Sequence, residues 1–275
     1  MSAKFVRTIL LLAPGAILIG FLFLFPLFGI LKLSLFNPDF TTASFAKLGT
    51  SPVALLVIER TFTLALTVTV LCVVTGYPIA YFLATSSPRW RTILVYLILL
   101  PFWTSILIRT YTWMVVLGRE GLVNSVLQWT GLIDAPIQLL FTGLAVHMAM
   151  VQILMPIVVI TCYSTMIEID EGLIRAARTL GATPGQAFAK VFLPLSMPGA
   201  ATGAAMCFIL SLGFYITPAL LGGRRNVMLS NLIDFEVYQT LNWSFASALA
   251  LVLLAATLVS LGLFRLIAPR RRDQG

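Results

Sequence analysis

Charge is the scarcest resource in this chain. Only 10% of its 275 residues are Asp, Glu, Lys or Arg, where a water-soluble domain carries about 25%. Beside 59% hydrophobic residues, that shortage excludes a soluble globular domain, which would expose large apolar patches to water. Histidine occurs once, as His147, so no histidine cluster can hold a metal. No paired acids stand in the apolar runs, which argues against an intramembrane enzyme. The three cysteines, Cys72, Cys162 and Cys207, each sit alone in a different apolar run. That spacing supports neither a metal site nor a disulfide framework and fits small packing residues. No Gly-x4-Gly-Lys-Ser/Thr phosphate loop occurs, so the chain itself is expected to bind neither ATP nor any other cofactor.

What the chain has instead is long apolar runs. Six of them, at about 8–31, 61–84, 92–108, 142–163, 199–221 and 244–264, contain no Asp, Glu, Lys or Arg. About 20 helical residues cross a bilayer's hydrocarbon, and a central charge there would cost about 2.5–3.5 kcal/mol. The sequence therefore predicts an all-α polytopic membrane protein with about six transmembrane helices, surrounded by lipid. The first run is too long for a signal-peptide core and no small-x-small cleavage pattern closes it, so it reads as an uncleaved span. The net charge of +8 is confined to the gaps between runs, without the basic stripe that a nucleic-acid partner would require. Lys and Arg are more frequent in the loops on the terminal side, most clearly at Arg270, Arg271 and Arg272, which predicts both termini in the cytoplasm. The expected organisation is a first helix with an outer loop (1–60), a core (61–267) and a basic cytoplasmic tail (268–275).

Two loops carry local signals. Between Gly121 and Leu132, apolar residues at helical spacing with Asn124, Ser125 and Gln128 between them predict a short helix at the outer interface. The inner segment 168–194 predicts two helices around a break. Asp170 to Leu180 are good helix formers, and Glu171 stands four residues before Arg175. Gly181 is placed to end that helix in a left-handed conformation. Thr183 then caps a second helix, with Pro184 at its first position and Gln186 completing a capping box. That second helix is expected to stop at about Phe192, ahead of Pro194. A doubly capped elbow of this length is more than a connector, and it would let a partner's movement reach the spans as rigid-body rotation.

The series Arg175-Ala176-Ala177, Gly181, then Val191-Phe192-Leu193-Pro194 resembles the EAA motif of permease subunits of binding-protein-dependent ABC importers. That motif runs Glu-Ala-Ala, three residues, Gly, nine residues, Ile-x-Leu-Pro. The spacing agrees throughout, with Arg175 in place of the usual Glu. Further stretches (Gly76-Tyr77-Pro78 with Tyr81, Pro101 through Tyr111, Thr217 through Gly223) look like the spermidine/putrescine branch. The resemblance implies the type I importer permease fold in the bacterial inner membrane. It also implies a second permease subunit, identical or related, two ATPase subunits that carry the ATP and Mg, and a periplasmic solute-binding protein. The ATPase contact would fall on Asp170, Glu171, Arg175, Ala176, Ala177, Gly181, Ala182, Thr183, Leu193 and Pro194.

Candidates for the solute pathway are Trp103, Tyr111, Trp113 and Tyr215, whose ring faces can attract a cation, and His147, the one ionisable group in the spans. Each has a plainer reading: interfacial aromatics for the four rings, and a neutral histidine bonded to a neighbouring helix for His147. The spans lack the carboxylates that a polycation would ordinarily meet, so an opine or amino-acid-like solute stays open beside a polyamine. A secondary, ion-coupled transporter is the competing class. It would need intramembrane carboxylates or paired broken helices.

Overall fold

In the computed structural model of the chain, which describes residues 3–36 and 39–267, the regular structure is helical. Helix α1 (Ala3–Leu35), α2 (Ala43–Thr50) and α3 (Pro52–Thr85) are followed by α4 (Pro88–Leu99), α5 (Ile106–Val116) and α6 (Leu122–Trp129). Next come α7 (Gly143–Met166), α8 (Glu171–Thr179), α9 (Pro184–Ala187) and α10 (Leu193–Leu212), the last two joined by a π turn at Phe188–Phe192. The described chain ends with α11 (Ile216–Leu221), α12 (Leu229–Tyr238) and α13 (Trp243–Ile267). Five helical stretches are long and apolar enough to cross a membrane: Leu12–Leu35, Pro52–Thr85, Gly143–Met166, Pro184–Leu212 and Trp243–Arg265. A bent pair makes a sixth. The basic tail expected at 268–275 lies outside the described residues.

The chain divides into two compact units. One comprises the N-terminal residues through Leu55 together with Leu232–Leu254. Its α1 turns large side chains such as Phe21, Phe23, Phe25 and Phe28 outward, 61–73% exposed, which suits lipid and not water. Within this unit the Ser44 hydroxyl donates to Ser244 Oγ at 3.2 Å, and Ser244 donates to the Leu33 carbonyl at 2.8 Å. Lys47 Nζ stands 4.4 Å from the centre of the Phe245 ring.

The other unit, Leu56–Asn231 with the chain from Ala255 onward, is built on α7. That helix is apolar around its whole circumference and accordingly buried, with Val146, Met150, Val158 and Val159 inaccessible. Helix α10 packs against it through a Gly-x3-Gly pair. A Cβ on Gly199 would lie 2.6 Å from Thr165 Oγ1. One on Gly203 would collide with Thr161 Oγ1 and come within 3.1 Å of the Val158 Cα. Small residues let the two backbones approach, which is how helices associate when lipid offers no hydrophobic drive. Buried threonine hydroxyls on α3 are satisfied inside the helix: Thr61 donates to the Val57 carbonyl and Thr69 to that of Ala65, both at 2.7 Å. Cys72, Cys162 and Cys207 are all free thiols in the packed interior, as their isolation in apolar runs suggests.

Three expectations are corrected, each at a proline. The run 92–108 is not one straight span. Helix α4 passes into a 3-10 turn at Leu100–Trp103, Thr104 is extended, and the chain re-enters a helix at Ile106 bent by 97°. Pro101 has no N–H to continue the ladder, and the Ser105 side chain accepts from the Leu107 N–H to cap the new helix. The run 199–221 is likewise interrupted after Leu212. Pro218 cannot donate to the Phe214 carbonyl, which is met instead by the Ser230 hydroxyl at 2.6 Å. Finally, the helix begun at Pro184 does not stop before Pro194. It widens into the π turn, where Leu193 N–H reaches back five residues to the Phe188 carbonyl, and it continues to Leu212. The wider turn accommodates the proline ring, which would otherwise press on the carbonyl four residues earlier.

The loop helix predicted at 121–132 is present as α6, with Ser125 and Gln128 exposed and Asn124 turned inward. Asn124 is fully buried, donating to the Gly118 and Ile137 carbonyls and accepting from the Ile137 N–H, while Leu122 and Trp129 are exposed. The amide supplies partners to both the N–H and the carbonyl of Ile137 in the following loop.

The α7–α10 contact makes a stability prediction. Gly203→Val should destabilise the protein by about 1–3 kcal/mol through overpacking, whereas Gly262→Ala, where nothing lies within 4 Å of an added Cβ, should be neutral. Thermal unfolding in detergent compares the two variants.

Candidate functional site

The segment 168–194 forms the doubly capped elbow. Asp170 is the N-cap of α8, its Oδ1 accepting from the Gly172 N–H at 2.8 Å. Glu171 and Arg175 form an ion pair at 3.8 Å whose side chains are 86% and 76% exposed, so it contributes little. The end of α8 is a complete Schellman motif. Gly181 has φ +87°, its N–H donates to the Arg178 carbonyl, and the Ala182 N–H donates to that of Ala177. Two orphan carbonyls are thereby satisfied and the chain reverses sharply. Two residues on, Thr183 and Gln186 close a reciprocal capping box: Thr183 N–H to Gln186 Oε1 at 2.9 Å, and Gln186 N–H to Thr183 Oγ1 at 3.3 Å.

This places the predicted coupling residues in one short stretch of chain. Arg175 and Ala176 on α8 and Gly181 and Thr183 in the bend are exposed, while Ala177, Ala182 and Leu193 are half-buried. Pro194 is the second residue of α10, just after the π turn. Leu180, 88% exposed at the tip of the bend, was not legible as a site residue. An apolar residue next to a glycine reads as core until the Schellman turn is seen to push it outward.

The inner end of the elbow rests on aromatic rings. Tyr81 of α3 stands edge-on to Phe188 and to Phe192, with centroids 5.2 and 5.1 Å apart, and those two phenylalanines stack at 5.7 Å. Four residues earlier, the Tyr77 hydroxyl lies 2.6 Å from Ser196 Oγ.

The pathway candidates are dispersed. Trp103 lies on the 3-10 turn, 89% exposed, Tyr111 on α5 is 65% exposed, and Tyr215 just before α11 is 40% exposed. Trp113 is half-buried, its Nε1 donating to Gln152 Oε1 of α7 at 3.5 Å. His147 bridges two helices, with Nδ1 2.6 Å from the Gly143 carbonyl and Nε2 2.8 Å from Thr67 Oγ1 of α3. A carbonyl only accepts, so the hydrogen in the Gly143 contact lies on Nδ1, while the Thr67 hydroxyl that meets Nε2 also lies 2.9 Å from the Thr63 carbonyl. His147 lines a cavity of about 260 Å3 together with Arg60, Thr63, Thr67 and Asn226, and none of the four aromatic candidates is in its wall. Arg60 is held there by its Nη1, which donates to the Arg225 carbonyl at 2.7 Å. These neighbours come from positions up to 166 residues apart, and no local signal could have grouped them with His147.

The elbow, the broken fourth and fifth helices and the α7–α10 pair together define an importer permease. The chain belongs to the family described as binding-protein-dependent transport system inner membrane component, which matches residues 76–273. It is thus a multi-pass subunit of the inner membrane. Among its relatives is the spermidine/putrescine transport system permease protein PotB of Escherichia coli K12. That protein is 36% identical over 214 residues, covering 78% of this chain and 78% of the relative. The protein of the same name from Haemophilus influenzae Rd is 35% identical over 218 residues, covering 79% and 71%. The inner membrane ABC transporter permease protein YdcU of Escherichia coli K12 is 28% identical over 230 residues, covering 78% and 72%. Among solved structures, a bacterial alginate ABC transporter in complex with an alginate-bound periplasmic protein superposes with TM-score 0.78 at 20% identity, covering 99% of this chain and 98% of the other. The MetNI methionine transporter gives 0.60 at 19%, covering 80% and 97%. The fold is that of type I ABC importer permeases.

Removing one arm of the capping box tests how much of the elbow's stiffness is local. Thr183→Ala should cost about 1 kcal/mol, seen as roughly fivefold faster amide exchange over 185–187 with α7 unaffected.

Proposed function

We propose that this subunit forms, with a second permease, the translocation pathway for a polyamine such as spermidine or putrescine. The solute is delivered by a periplasmic binding protein, and ATP hydrolysis on separate ATPase subunits drives its movement. The observation that carries this reading is the elbow: two helices locked by a Schellman turn and a capping box, with an exposed apolar tip at Leu180. The spans have no energy source of their own. Strongly biasing a two-state bundle takes about 5.5 kcal/mol of differential binding, and a stiff projection lets a partner supply it. In this reading the termini and the elbow face the cytoplasm, where the ATPase subunits hold ATP and Mg. Asp170, Glu171, Arg175, Ala176, Ala177, Gly181, Ala182, Thr183, Leu193 and Pro194 form or support the docking face. The chain itself carries no catalytic step.

The polyamine reading is supported by the names of the PotB relatives. In the pathway, ring faces of Trp103, Tyr111, Trp113 and Tyr215 would hold the cation at about 0.5–2 kcal/mol each, and His147 would serve as a polar waypoint. One observation favours an opine or amino-acid-like solute instead. The cavity at His147 is lined by the Arg60 guanidinium and contains no carboxylate, so it suits an anionic or hydroxylated group.

The elbow is tested by Gly181→Pro, because proline fixes φ near −65° where the structure has +87°. The variant should insert normally, lose co-purification of the ATPase and lose spermidine uptake. Full uptake would remove the elbow from the mechanism. A thermal-shift screen of the cognate binding protein should give stabilisation by spermidine or putrescine; stabilisation only by carboxylated amines would shift the cargo to the opine class.

A further inference from the structure

The π turn is the weakest point in the elbow's link to the spans. Pro194 removes one rung of the helical ladder, and the turn that accommodates it is wide. A push on the exposed tip could be absorbed there as a bend, moving the elbow without moving α10. Yet the two sides of the turn are fastened to the same external element. Tyr77 and Tyr81, one helical turn apart on α3, share a face. Tyr81 sets its ring edge-on against both Phe188 and Phe192, which bracket the π turn. The Tyr77 hydroxyl bonds to Ser196, one turn beyond it and fully buried. Ser196 in turn donates to the Leu193 carbonyl at 3.0 Å, bracing the first residue after the wide turn. On the elbow side, Ile174 and Arg178 of α8 line a small cavity of about 170 Å3 against Tyr81 and Phe188, so α8 is in reach of the same ring cluster.

We infer that Tyr77 and Tyr81 form a clasp that splints the π turn, so that α3 and the elbow move as one body. This makes the two tyrosines positioning residues for energy coupling: they touch neither solute nor ATPase but decide whether elbow motion reaches the bundle. The inference rests on the reading of the elbow as the ATPase dock. Edge-on aromatic contact is directional and short-ranged, so the clasp tolerates rocking of the joined body while resisting slippage within it.

The test uses the assembled importer with nitroxide labels at Leu180→Cys and Val74→Cys, both exposed positions. The three native thiols are buried, which keeps labelling selective. The expected result is one inter-label distance that is the same in ATP-free and vanadate-trapped complexes. In Tyr81→Ala that distance should shift and broaden on trapping, with an approximately tenfold larger displaced population. Tyr81→Phe, which keeps the ring, should behave as the parent. A distance that already changes on trapping in the parent overturns the clasp, and needs no Tyr81 variant to fold. So does a Tyr81→Ala complex indistinguishable from the parent. The docking reading fails by a different signal: a Leu180→Cys label whose mobility is unaltered when the ATPase is added.

Discussion

The constraint on which this structure depends is that backbone polar groups within hydrocarbon must find partners inside the chain. Helices satisfy it automatically, and prolines break it. At each place where a proline interrupts a span, a specific repair is visible. Ser105 caps the helix restarted after Pro101, the Ser230 hydroxyl meets the carbonyl left free by Pro218, and the bond from Leu193 to Phe188 bridges the gap before Pro194. The irregular points of the bundle are therefore where neighbouring elements become tied to one another. Ser230, for example, joins the first turn of α12 to the carbonyl ahead of α11.

The elbow obeys a different economy. Its caps are all local, within five residues, and they draw on no contact with the spans. A projection that stabilises itself can be gripped and displaced without melting, which a loop held only by tertiary contacts could not withstand. At its junction with the spans it is tied to α3 by aromatic contact with Tyr81. The substitution of Arg175 for the acidic residue of the motif fits this arrangement. Arg175 pairs with Glu171 on the same exposed face, so the face stays mixed in charge instead of becoming basic.

The polar cavity around His147 bears on cargo in a way the aromatic candidates do not. It joins α3, α7 and the loop after α11 through Thr67, His147 and Asn226, with Arg60 at its wall. A positively charged, hydroxyl-lined cavity offers a polyamine no counter-charge. Cation selection in such a system would rest with the binding protein, the sister subunit or ring faces elsewhere.

Spans and caps were legible because their causes are local. Six charge-free runs follow from the cost of burying charge in lipid. The Gly181–Thr183–Gln186 series fixed the elbow because a positive φ and a reciprocal cap are decided within a few residues. What the tertiary structure alone decided is how the chain continues past its prolines, and what surrounds His147. The helix that widens at Pro194 is flanked by the contacts of Tyr77 and Tyr81 and by the packing of Gly199 and Gly203 on α7, contacts between residues far apart in sequence. A side chain's neighbours across a helix interface are fixed by rotation and register, and these are set by packing, which no stretch of sequence carries by itself.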